Sequence, residues 1–170
     1  SYLVDLAIKE DNPKESYNKA VRVVDNDQID KSDLTDNPSP DHLYYYPSYD
    51  GGAVSMDDEY FSIGANETFI VFVDDDLHIN QNITVASGGF LAFIVKGDIE
   101  IDSDVAQVQG VYFADGSLTV ETGATPANPE LHDGQFNGQG IFVAKAGVSL
   151  KRNFRNADNV TTPTEILTFD

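Results

Sequence analysis

One short motif occurs four times in this chain and constrains its fold more than any other feature. The copies are Val73-Asp-Asp-Asp-Leu77-His-Ile79, Val95-Lys-Gly-Asp-Ile99-Glu-Ile101, Ala114-Asp-Gly-Ser-Leu118-Thr-Val120 and Ala144-Lys-Ala-Gly-Val148-Ser-Leu150. Each joins an apolar strand to a short alternating strand through a turn. Leu77, Ile99, Leu118 and Val148 follow one another at steps of 22, 19 and 30 residues. A period near 20 residues marks a solenoid, in which a repeat cannot bury its apolar face alone and stacks on the next.

Aligning the copies gives columns. Leu77, Ile99, Leu118 and Val148 form one, and Ile79, Ile101, Val120 and Leu150 another. Between them lie His78, Glu100, Thr119 and Ser149; beyond lie Asn80, Asp102, Glu121 and Lys151. Strand side chains alternate between faces, so the first two columns point inward and the others to water. Ile83 with Val85, and Val105 with Val108, suggest a third short strand per coil. The step of 30 residues holds an insertion at 123–138, rich in Gly, Pro and Asn.

The strands before the turns, such as Phe69–Val73 and Leu91–Val95, are apolar at both parities. A sheet of that kind is covered on both faces. The expected cover is an N-terminal helix from about Pro13 to Val24, with a second subunit as the competitor. Asn12-Pro13-Lys14-Glu15 has the residues of a helix start, and Tyr17, Ala20, Val21 and Val24 fall on one helical stripe. The expected organisation is therefore an arm over 1–50 that covers or caps, and a β-helix domain over 51–170. Val54 to Ile63 reads as a degenerate first coil, with Phe61 and Ile63 beneath Leu77 and Ile79, and the tail Pro163–Phe169 as a C-terminal cap. The start at Ser1, with neither Met nor a signal-like segment, reads as a mature or excised piece.

Coils of about 20 residues with Asp and Gly turns resemble single-stranded right-handed parallel β-helix proteins, the class of the pectin-lyase-like proteins and the bactofilins. The resemblance is one of pattern over Phe69–Leu150. It implies an all-β chain, a short right-handed parallel β-helix of four to five coils with the helix docked on its outer sheet. No family motif is matched, so it implies no functional residues.

The net charge is −19, from 29 acidic and 10 basic residues. Such a field repels nucleic acid and anionic lipid, which makes nucleic acid an unexpected partner. No cysteine is present, and no apolar run is long enough to insert in a membrane. The acidity has three readings: Asp in solvated turns, a divalent cation such as Ca²⁺, or adaptation to salt.

Two stretches are candidate sites. Tyr44, Tyr45, Tyr46 and Tyr49 could stack on sugar rings, or pack their rings over a sheet boundary. Asp74 and Asp76, flanking Asp75 and followed by His78, could hold a cation, or belong to a solvated turn that changes from copy to copy. Asp76 and Asp98 stand one coil apart, near the carboxyl separation of a retaining glycosidase, although a turn that favours Asp places them so as well. No nucleophile elbow, phosphate loop or dinucleotide fingerprint occurs. The expected function is a non-enzymatic structural or adhesive module of a cell-surface or secreted protein. Its partners would be other domains of a longer chain or a self-association partner. The alternative is a carbohydrate-binding or polysaccharide-degrading module.

Overall fold

The computed structural model describes residues 21–36, 38–48, 52–56, 60–123, 133–154 and 163–169. Along the chain the strands are β1 (Val21–Val23), β2 (Gln28–Ile29), β3 (Leu43–Tyr46), β4 (Val54–Met56), β5 (Phe61–Ile63), β6 (Thr68–Val73), β7 (Leu77–Ile79), β8 (Ile83–Val85), β9 (Phe90–Val95), β10 (Ile99–Ile101), β11 (Gln107–Ala114), β12 (Ser117–Val120), β13 (Phe136–Ala144), β14 (Gly147–Leu150) and β15 (Glu165–Thr168). A short helix, α1 (Lys31–Thr35), sits between β2 and β3. The protein is all-β with long parallel sheets, an arrangement compatible with a solenoid.

Two large sheets and a small one form the walls. The first has seven strands in the order β1-β3-β6-β9-β11-β13-β15, the second six in the order β14-β12-β10-β7-β4-β2, and the third pairs β5 with β8. The chain passes from the first sheet to the second and returns to the first beside its previous strand, so the strands among the described residues pair in parallel. Leu77, Ile99, Leu118 and Val148 lie in register one over another. Three of the four are at most 1% exposed, as are Ile79, Ile101 and Val120 beside them. Burying each such side chain is worth about 1.5–3 kcal/mol, so these files carry much of the fold's stability. The first sheet supplies the opposite inner wall, where Phe93, Tyr112 and Phe142 stack at centroid distances of 5.8 and 5.1 Å.

The N-terminal part departs from expectation. Val21–Val23, the end of the expected helix, is strand β1 and pairs with Leu43–Tyr45. Val21 and Val24 fit a helical stripe, but Val21-Arg22-Val23 also alternates, and the free edge of β3 rewards the extended form. Residues 13–20 lie outside the described residues. Residues 21–46, expected in the covering arm, thus add β1, β2 and β3 to the two large sheets. The coil expected to come first also differs: β4 stands beneath Leu77, whereas Phe61 and Ile63 stand beneath Ile83 and Val85. The coil has a third side, and Phe61 and Ile63 lie on it.

The outer face of the first sheet is apolar, as its double parity requires. Val23, Tyr45, Phe72, Ile94, Phe113 and Val143 form a file across it. Exposure rises along the file from 0% at Tyr45 to 37% at Phe113 and 43% at Val143.

Helix α1 is tied to the third side. Lys31 Nζ donates to the Ser62 carbonyl at 2.6 Å and pairs with Glu67 Oε2 at 2.8 Å. The Lys31 bond, with help from the Gly64 N–H, holds the Glu67 carboxyl below its ordinary value of 4.5. A depressed carboxyl stabilises the fold above its unfolded pKa and loses that contribution as pH falls through the folded value. Denaturation midpoints measured from pH 6 down to pH 3 should therefore fall less steeply for Glu67→Gln than for the wild type below about pH 4.5. Equal slopes would show that the pair contributes nothing.

Candidate functional site

The turn between the first and second sheets holds the densest carboxylates. Asp74 Oδ2 accepts the Tyr45 hydroxyl at 2.9 Å, and Oδ1 meets Lys96 Nζ at 2.6 Å. Asp75 takes Ser48 Oγ at 2.6 Å and the Asp76 N–H at 2.9 Å. Asp76 Oδ1 accepts the Asp98 N–H of the next coil at 2.7 Å, and Asp98 Oδ1 accepts the Ser117 N–H of the coil after at 2.6 Å. Gly97 and Gly116 leave room for this relay: a Cβ on Gly97 would stand 2.0 Å from Asp76 Oδ1, and one on Gly116 2.1 Å from Asp98 Oδ1. Asp74 and Asp76, expected to share a cation, are thus each engaged by a protein donor. Asp76 and Asp98, the pair at glycosidase spacing, both cap the backbone of a neighbouring coil.

The tyrosines pack. Tyr44, Tyr45 and Tyr46 are each 0% exposed, so none offers a ring face to a sugar. Tyr44 and Tyr46 point into the interior, and Tyr45 lies on the covered part of the outer face. Tyr44 Oη donates to the Leu34 carbonyl at 2.6 Å. Burial, reinforced by the Asp33 carboxylate, pushes the Tyr46 phenol above its ordinary range. Tyr49 lies outside the described residues.

On the outer face of the second sheet, parallel register sets His78 beside Glu100. Asp102, two residues further on, completes a group whose ligand atoms lie within 4.8 Å of one another; His78 Nε2 and Asp102 Oδ1 are 3.0 Å apart. Among the described residues this is the one place where three such side chains converge. The structure therefore separates His78 from Asp74 and Asp76 and joins it to the adjacent column. The column alignment contained this signal, because in-register residues on one face are neighbours at about 4.8 Å. Three donors, one exposed and two half-buried, fall short of the six or more oxygens that a hard cation takes.

The third side is held by side chains where strands run out. Asn82 Oδ1 accepts the N–H groups of Ala106 and Gln107 at 2.8 and 2.9 Å, and Gln109 Oε1 accepts the Val85 N–H at 2.6 Å. Arg152, only 6% exposed, donates Nε to the Glu121 carbonyl (3.1 Å), Nη1 to Gly134 (3.1 Å), and Nη2 to Asp102 (2.7 Å) and Val105 (2.6 Å). Its guanidinium lies 5.5 Å from the centroid of the Phe136 ring. The buried Asp133 carboxylate accepts Thr122 Oγ1 and the N–H groups of Gly123 and Asn153 at 2.6–2.8 Å. In the sequence Arg152 belongs only to a small basic cluster; its acceptors are carbonyls 18 to 50 residues away.

No family model matches this chain, and neither curated proteins nor solved structures match it. Among the described residues, no helix is long and apolar enough to cross a membrane.

Proposed function

We propose that this protein is a non-enzymatic structural or adhesive module, a short right-handed parallel β-helix belonging to a cell-surface or secreted protein. The handedness follows from the rule for parallel crossovers. Taking each strand of the first sheet with the next strand of the second as one coil, the described residues would make up six, β1 with β2 through β13 with β14. That is more than the motif alone suggests, because the first coils carry no recognisable copy of it. Partners in this reading are other domains of a longer chain or a self-association partner, and neither nucleic acid nor membrane insertion has a place in it.

One observation carries the proposal: the polar side chains at the corner and on the third side are spent on the coils themselves. Asp76, Asn82, Asp98, Gln109, Asp133 and Arg152 all bond to backbone groups. A catalytic carboxyl needs a reacting atom within hydrogen-bond reach. These groups meet the fold's own amides and carbonyls. The carbohydrate alternative depended on the ring faces of the cluster from Tyr44 to Tyr49, and Tyr44, Tyr45 and Tyr46 present none.

The test is a panel of polysaccharides incubated with the purified protein, read by reducing-end release and by binding. No turnover is expected; reproducible release from any glycan would overturn the structural role. In this reading the fold also needs no cofactor. Millimolar Ca²⁺ is expected to move the melting midpoint by less than about 1 °C, because an ion that does not bind the native state adds nothing to its stability. A rise of several degrees that is lost in Asp76→Asn would restore the calcium reading.

A further inference from the structure

The two ends of the solenoid differ. At the N-terminal end the second sheet finishes, among the described residues, at β2, and Ile29 of β2 and Leu34 of α1 are 0% exposed. At the C-terminal end it finishes at β14, where Val148 and Leu150 are 43% and 44% exposed, although their columns are otherwise buried. The first sheet is only half closed there. Strand β15 pairs with Phe136–Gln139, and among the described residues nothing pairs beyond Gly140–Ala144. The last coil thus exposes a strand edge together with inward-register apolar side chains, a combination that soluble proteins ordinarily block.

The charges on this coil specify what would cover it. From 134 to 154 the chain holds Lys145, Lys151 and Arg152 and no acidic residue. In the coil beneath, Asp115 Oδ1 lies 3.8 Å from Lys145 Nζ, and Glu121 Oε1 lies 2.6 Å from Lys151 Nζ. One corner position reads Asp74, Lys96, Asp115, Lys145 from coil to coil, with Lys96 pairing to Asp74 at 2.6 Å. The next place in that alternation is acidic.

We propose that the open end is a docking edge for one further parallel coil. Its occupant is an extended segment with two alternate apolar residues over Val148 and Leu150, and carboxylates over Lys145 and Lys151. The mode is strand addition, in which backbone bonds give affinity and side-chain register gives specificity. An aromatic residue at the start of the segment stacks on Phe142, as Tyr112 does from below at 5.1 Å. A second copy does not meet these terms. At its N-terminal end Ile29 and Leu34 are already 0% exposed and offer no apolar surface to Val148 and Leu150, and its C-terminal end sets Lys145 and Lys151 against their own kind. Such an edge serves only a module that joins something larger, so the inference rests on the structural role proposed above.

Residues 112–121 of the chain itself have the required chemistry, because in the fold they lie in register beneath 142–151. The probe is therefore a peptide of that sequence with blocked ends, titrated into the ¹⁵N-labelled protein. Amide shifts are expected within 140–151, with a dissociation constant of about 1 mM or tighter. The same peptide carrying Asp115→Lys and Glu121→Lys is expected to bind at least about tenfold more weakly, a factor worth 1.4 kcal/mol. In a protein with Lys145→Glu and Lys151→Glu, both exposed changes, the preference should reverse. No shifts up to millimolar peptide, shifts confined to other edges, or equal binding by both peptides would overturn the docking edge. So would concentration-dependent dimerisation of the protein that Ser149→Pro abolishes, since a second copy would then be the occupant. Glycan turnover is read separately, so failure of the structural role and failure of the edge are distinguishable.

Discussion

Replacing Arg152 by Ala is expected to destabilise the protein by about 3–5 kcal/mol, the cost of deleting one partner of a buried charged network. The guanidinium gathers four carbonyls, those of Asp102, Val105, Glu121 and Gly134, from three successive turns. These turns lie on the third side, where the two-stranded sheet of β5 and β8 does not continue. Without the side chain, the buried Val105 carbonyl and three part-buried carbonyls lose their donor, and Phe136 loses the cation beside its ring. A typical domain has only about 5–15 kcal/mol of stability, so the variant should melt well below the wild type. Arg152→Lys should recover less than half of the loss, because an ammonium has three donors at one point and cannot span the planar fork's four acceptors. Urea denaturation with an unchanged m value would check both. A loss under about 1 kcal/mol for Arg152→Ala would mean that water replaces the guanidinium at little cost.

Arg152 also shows where sequence reasoning stops in this protein. The stacked files were legible because strand side chains alternate and the turns repeat, so Leu77, Ile99, Leu118 and Val148 could be aligned without coordinates. The doubly apolar strands were legible for the same reason, and the outer file from Val23 to Val143 follows from them. What sits on that file was not. Val21 and Val24 satisfy a period of 3.6, Val21-Arg22-Val23 satisfies a period of 2, and only the edge of β3 decides between them. The placement of Phe61 failed in a similar way, since two apolar pairs, Val54 with Met56 and Phe61 with Ile63, compete for the place beneath Leu77. Choosing between them needs the number of sides in a coil.

The candidate site divides along the same line. His78 and Glu100 shared a column from the start, so their meeting was implicit, and Asp102 followed one column over. The corner aspartates were recognisable as turn residues, but their acceptor roles depend on the rise from coil to coil. Asp76 reaches the amide of Asp98 because neighbouring coils are one strand spacing apart and Gly97 leaves the space open. Tyrosine rings and aspartate runs look like binding groups in one dimension. Here stacking buries the rings of Tyr44, Tyr45 and Tyr46 and sets Asp76 and Asp98 onto the next coil's amides.

That tight stacking makes Gly140 the most constrained backbone position among the described residues, and Gly140→Ala should cost about 3–5 kcal/mol. Gly110 and Gly140 lie in register in β11 and β13, with φ of +133° and +131°. A Cβ on Gly140 would stand 1.9 Å from the Gly110 carbonyl oxygen and 2.9 Å from its carbon, both of them backbone atoms. No side-chain rotation relieves that overlap. The two coils would have to part, yet β11 and β13 are paired without interruption from Gln107 with Asn137 to Ala114 with Ala144. The positive φ adds a second penalty of about 1–2 kcal/mol for any residue with a Cβ. Gly110→Ala meets its nearest backbone oxygen, that of Leu91, at 2.9 Å and should cost less. Gly134→Ala, with nothing within 4 Å of its Cβ, is the control and should fall within about 1 kcal/mol of the wild type. The expected order of melting midpoints is therefore Gly134→Ala above Gly110→Ala above Gly140→Ala. Finding Gly140→Ala as stable as the control would mean that β11 and β13 are not stacked in this register, and with them the last coil and its open edge.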